Sequence, residues 1–162
     1  MRRPLPVWLL LVGVGVGVGV ACAGDPPASQ EPADASATAE VVFRATGGER
    51  SLAVRVADTD QERERGLMGV RDLPVDEGMA FVFDGPTTAS FWMKDTPIPL
   101  AIAFVGEDGH ILGITEMTPC RTETCPTYVP PAPSTMAVEA NAGWFGANGV
   151  RVGDETVLLE AG

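Results

Sequence analysis

Apolar positions in this chain fall in short runs, most of them rich in β-branched residues and bounded by Gly or Pro. VVFRA (41–45) and SLAVRVA (51–57) come first, then GMAFVFD (78–84) and ASFWMKD (89–95). Runs of this length and composition read as strands. LAIAFVG (100–106) and HILGITEM (110–117) flank Glu107-Asp108-Gly109. Asp-Gly between two apolar runs is a hairpin signal. TMAVEANAG (135–143) and VRVGDETVLLE (150–160) close the chain. The pattern predicts a mainly β domain of about seven or eight short strands, a small barrel or sandwich.

Helical signals are few. Thr59-Asp60-Gln61-Glu62 fits a capping box, with Thr59 as the cap and Glu62 reaching back to it. The helix should run to about Arg65 and stop at Gly66. A second short helical turn is expected near Trp144-Phe145, before Gly149.

The N-terminal 40 residues follow a different pattern. Arg2 and Arg3 precede Val7–Val20, an uncharged apolar run of 14 residues, and Ala21 follows. This is the layout of a secretory signal, too short and too Gly-rich for a spanning helix. Residues 1–21 are therefore expected to be a signal peptide. Small residues just before Cys22 resemble a lipoprotein signal, in which the Cys becomes the lipidated N-terminus, although Gly19 stands where a Leu is usual. Residues 22–40 are Ala, Pro, Ser and acid with no large apolar side chain, which suits a disordered tether. The folded domain should occupy residues 41–162. The expected location is the bacterial cell envelope, exported and tethered to a membrane by lipid.

Charge narrows the partners. Without Arg2 and Arg3, nine basic residues face 22 acidic ones. Such a surface repels nucleic-acid phosphates and anionic headgroups, so membrane contact is assigned to the lipid and nucleic acid is excluded. Cys120 and Cys125 remain as a close pair, read as a structural disulfide in an oxidising compartment. Two thiols without further ligands make half a zinc site, and a spacing of four is wrong for thioredoxin-like chemistry. No cofactor or metal is expected, and the domain is expected to be a monomer.

Several segments are familiar together. They are Glu62-Arg63-Glu64-Arg65-Gly66-Leu67-Met68, Glu77-Gly78-Met79, Phe91-Trp92-Met93-Lys94-Asp95-Thr96, Ile98-Pro99-Leu100, Pro119-Cys120 with Cys125-Pro126-Thr127-Tyr128, and Val152-Gly153-Asp154. In this order they resemble the family known as domain of unknown function 192, over about Ser51 to Leu158. The resemblance implies a small, mainly β, often exported domain and brings no established activity or catalytic residues. Asp95 stands where the family commonly has Asn, and Ala101 where it often has Asp.

The site must then be read from side chains. Lys94 is the only lysine, and strand alternation puts it on the same face as Trp92. It either lays its stem over the indole with its ammonium in water, or forms with it a ligand-facing pair of cation and aromatic platform. Thr96-Pro97-Ile98-Pro99 cannot continue a ladder and marks a rigid exit from the sheet. The Thr118–Pro133 loop holds the only tyrosine, Tyr128, with Glu116 at its entrance. The candidate ligand-binding set is Trp92, Lys94, Glu116 and Tyr128. The functional expectation is a binding or accessory domain at the envelope, whose partner is a small molecule or an envelope component. Two alternatives stand beside it. One is a hydrolase on carbohydrate or envelope material using Glu116 or Asp95 with Lys94; the other is soft-metal (copper) binding by Met and Cys. His110, the only histidine, falls in a turn and makes a poor general base.

Overall fold

The structure, a computed structural model, describes residues 39–160. The signal peptide (1–21), Cys22 and nearly all of the expected tether lie outside the described residues. Strands are β1 (Ala39–Ala45), β2 (Gly48–Ala57), β3 (Glu77–Thr87), β4 (Phe91–Trp92), β5 (Leu100–Val105), β6 (Ile111–Met117), β7 (Thr127–Tyr128), β8 (Ser134–Asn141) and β9 (Glu155–Glu160). Helices are α1 (Asp60–Arg65) and α2 (Trp144–Ala147). Among the described residues no helix is long and apolar enough to cross a membrane.

Seven strands form one sheet in the order β6-β5-β8-β3-β2-β1-β9, and β4 pairs with β7 apart from it. Every pairing in the large sheet is antiparallel except β2 with β3. That parallel pair needs a crossover, which α1 and the following turns supply. The sheet curls until its two edges nearly meet. His110 bridges Glu155, Ile111 N–H donates to Asp154 O at 3.0 Å, and Thr156 N–H donates to Gly109 O at 2.7 Å. The result is a curled half-barrel, within the fold class expected from the apolar pattern.

Both faces of the sheet are covered. Along β5, Ala101, Ala103 and Val105 join one apolar cluster, while Leu100, Ile102 and Phe104 join the other. Burial on both faces makes a central strand read as an unbroken apolar run. The first cluster is closed by Phe43, Trp144 and Phe145, whose ring centroids lie 5.4–5.7 Å apart. The second collects Phe81, Phe91, Met93 and Met117 under α1 and the β4 segment.

The capping box forms as expected. Glu62 N–H donates to Thr59 Oγ1 at 3.3 Å, and Thr59 N–H donates to Glu62 Oε2 at 3.1 Å. Thr59's hydrogen bonds hold the Glu62 carboxyl below its ordinary value. Gly66 ends the helix at φ 45°, and its N–H donates to Glu62 O at 2.8 Å. A six-residue helix has little stability of its own, so Thr59→Ala should cost about 1 kcal/mol, read as a lower urea midpoint.

The ASFWMKD run is shorter as a strand than its pattern predicts. Only Phe91 and Trp92 are paired as a strand, with Lys94 making an isolated bridge to Cys120. Burial still alternates as expected, with Phe91 and Met93 buried and Trp92 and Lys94 exposed.

Candidate functional site

A cavity of about 430 Å³ opens on the second-cluster side of the sheet. Its walls come from five parts of the chain. The α1 helix and its exit contribute Arg63, Gly66 and Leu67; β3 contributes Phe81 and Phe83. Phe91 and Trp92 come from β4, Thr96 from the turn after it, and Thr127 from β7. The floor is Glu139 of β8.

Glu139 is the residue that distinguishes this cavity. In β8, Met136, Val138 and Ala140 face the first apolar cluster, so Ala137 and Glu139 face the second. Its strand neighbours across the sheet are Met79 and Ile102, both apolar. The residue is 5% exposed. Among the described residues no group donates a hydrogen bond to its carboxyl and no cation pairs with it. Burial alone pushes the carboxyl from 4.5 up to about 8. A buried acid is ordinarily paired, because an unpaired one costs the full desolvation of a polar group. An unpaired one aimed into a cavity marks a candidate site.

The walls are held rigidly. Arg63 donates to Val82 O at 2.7 Å and to Asp60 Oδ1 at 2.7 Å, and also donates to Asp58 O. Its guanidinium lies 5.3 Å from the Phe83 ring centroid. These contacts fasten α1 to β3 and use up the arginine's charge. Phe91 packs edge-on against Phe81 at 5.1 Å and against Phe83 at 6.5 Å. Thr96, 4% exposed, donates its hydroxyl to Lys94 O at 3.3 Å.

The residues singled out from sequence are distributed as follows. Trp92 lines the cavity and is 46% exposed. Lys94 Nζ lies 5.4 Å from the Trp92 ring centroid, so these two do meet. Lys94 itself lines a separate hollow with Asp95, Cys120, Arg121, Thr122 and Glu123. Tyr128 packs against the second cluster, and its hydroxyl accepts from Thr118 N–H at 3.3 Å. Glu116 sits opposite Ala101, on the first-cluster face, and accepts from Gly143 N–H at 3.1 Å at the start of α2. The four residues thus lie on more than one side of the sheet, and only Trp92 borders the Glu139 cavity. Cys120 and Cys125 form a disulfide. Among the methionines, Met79, Met93 and Met117 pack in the second cluster and Met136 in the first. Glu139 did carry a sequence signal: one charge in the middle of the apolar MAVEA run.

The family model for domain of unknown function 192, described as an uncharacterised ACR, matches residues 41–158. The chain belongs to this family. A protein of unknown function from Novosphingobium aromaticivorans provides one similar crystal structure. It is 31% identical, with a TM-score of 0.68 over 73% of this chain and 83% of that one. A putative transcription regulator from Sinorhizobium meliloti is also 31% identical, with a TM-score of 0.67 over 75% of this chain and 94% of that one. No curated protein matches the sequence. Asp95 has φ 54°, the one non-glycine positive φ among the described residues. Asp is among the few non-glycine residues that tolerate that left-handed conformation.

Proposed function

We propose that this protein is a binding or accessory domain of the cell envelope, exported and lipid-anchored, that takes a small molecule into the Glu139 cavity. The observation that carries the proposal is Glu139 itself: a nine-tenths buried carboxyl, unpartnered among the described residues, on the floor of an aromatic-walled cavity. Such a group is costly to keep and is matched when a ligand supplies its hydrogen-bond partner. Cavities of this size with few polar groups among apolar walls are typical small-molecule sites. The apolar leader and Cys22 support export and tethering.

The Sinorhizobium structure's description as a putative transcription regulator raises DNA as a partner. The present chain has 22 acidic residues against 11 basic ones, a balance that repels phosphate.

The test is a thermal-shift screen of the purified protein against envelope sugars, anionic metabolites and organic amines. A ligand held near 100 times its Kd should stabilise by about 2.7 kcal/mol, a shift of several degrees. The shift should vanish in Trp92→Ala and persist in Lys94→Met. Equal shifts in wild type and Trp92→Ala would remove the cavity from the function.

A further inference from the structure

The polar groups deep in the cavity can both accept. Glu139 offers two acceptor oxygens once its proton has left, and Thr96 spends its hydroxyl proton on Lys94 O, which leaves its oxygen lone pairs for a donor. Arg63 is committed to Asp58, Asp60 and Val82. The surrounding side chains are phenyl and indole rings, whose faces are electron-rich. Acceptors at the bottom and π faces around them suit a donor that carries positive charge.

We propose that the cavity binds a protonated primary amine with an apolar body, its ammonium against Glu139 and Thr96 Oγ1 and its body along Phe81, Phe91 and Trp92. The proposal rests on the cavity being the ligand site and adds the class of ligand.

Binding is then coupled to a proton. The empty site keeps the Glu139 carboxyl protonated at neutral pH because burial disfavours its charge. An ammonium restores the charged form, so each amine that enters displaces one proton from Glu139 to solvent, and no covalent bond forms. Charged groups on the neighbouring elements are otherwise engaged or lie at the mouth. On α1, Asp60 pairs with Arg63, while Glu64 and Arg65 are exposed. In the same row of the sheet as Glu139, two strands away beyond Met79, stands Arg55 of β2, on which Glu77 of β3 acts. On β5 the facing residue is apolar Ile102. Lys94, resting on Trp92, and Asp95 border the other hollow.

The test is calorimetric titration of the protein with phenethylamine, 2-phenylethanol and 3-phenylpropionate between about pH 6 and about pH 9. Phenethylamine stays protonated throughout. Its affinity should rise roughly tenfold per pH unit up to about pH 8 and then level off. Titrations in buffers of different ionisation heat should report release of about one proton at neutral pH. The alcohol and the acid should bind roughly tenfold or more weakly than the amine at pH 8. Glu139→Gln should weaken the amine by a similar factor and abolish its pH dependence. Tighter binding of the alcohol or the acid, or an amine affinity indifferent to pH and to Glu139→Gln, overturns the ammonium and leaves the cavity as a ligand site. No binding by any of the three probes, with no hit in the thermal-shift screen, overturns both.

Discussion

Replacing Glu139 with Gln should make this protein more stable at mildly alkaline pH and no less stable at acid pH. Burial raises the folded carboxyl from 4.5 to about 8. Between those values the unfolded chain has released a proton that the folded chain still holds. The unfolded state therefore binds fewer protons, and stability falls as pH rises through this window. The loss is about 1.4 kcal/mol per pH unit, on the order of 4 kcal/mol between about pH 5 and about pH 8. For a domain of this size that is on the order of 10 °C in Tm. Above about pH 8 the folded carboxyl ionises too and the contribution levels off. Glutamine keeps the shape and cannot ionise, so Glu139→Gln should remove this slope. Melting curves of both proteins across pH measure it. Parallel curves would mean that the carboxyl is reached by water and carries no burial cost. A gain in stability from removing an acid is itself informative, since sites of function are where chains tolerate such costs.

A second large effect is expected at Gly78. This glycine pairs with Ala140 of β8, next to Glu139. A Cβ built there would overlap the main-chain carbonyl oxygen of Glu139 and come within 2.8 Å of Leu52 Cδ2. Neither side yields cheaply. The carbonyl belongs to the β3–β8 ladder, and Leu52 is fully buried. Gly78→Ala should cost on the order of 3 kcal/mol, at the high end for overpacking because main chain is the obstacle. Urea denaturation should show a lower midpoint with an unchanged slope. Because the clash pushes on the strand that carries Glu139, the variant should also lose the ligand-induced shifts. A midpoint within experimental error of wild type would show that the two strands can part without loss.

How much of the fold is legible in the sequence depends on how local each signal is. The Thr59 capping box and the Gly66 stop are set by neighbours within one helical turn, and both formed as the sequence implied. The Asp-Gly hairpin between β5 and β6 is local in the same sense, with Gly109 at φ 78°. Cys120 and Cys125 are five positions apart and meet in a disulfide. The β4 segment shows the limit. Alternation correctly separated Phe91 and Met93 from Trp92 and Lys94, but a partner strand exists for only two residues, because β7 offers only Thr127 and Tyr128.

Lys94 and Glu139 pose the same question in sequence, a lone charge among apolar residues. Their answers differ because of what lies across from each. Lys94 stands just past a two-residue strand, so its ammonium reaches solvent over Trp92. Glu139 stands in a central strand, between Met79 and Ile102 on the face that α1 and β4 cover. The sequence alone determined the family, the mainly β class, the capped helix and the pairing of the two late cysteines. These rest on composition, on turn chemistry and on contacts a few residues apart. Only the tertiary structure decided which charge is buried, since that depends on strand order and on the elements laid over the sheet. Strand order is fixed by long-range packing of two apolar clusters, and no short window of the chain contains it.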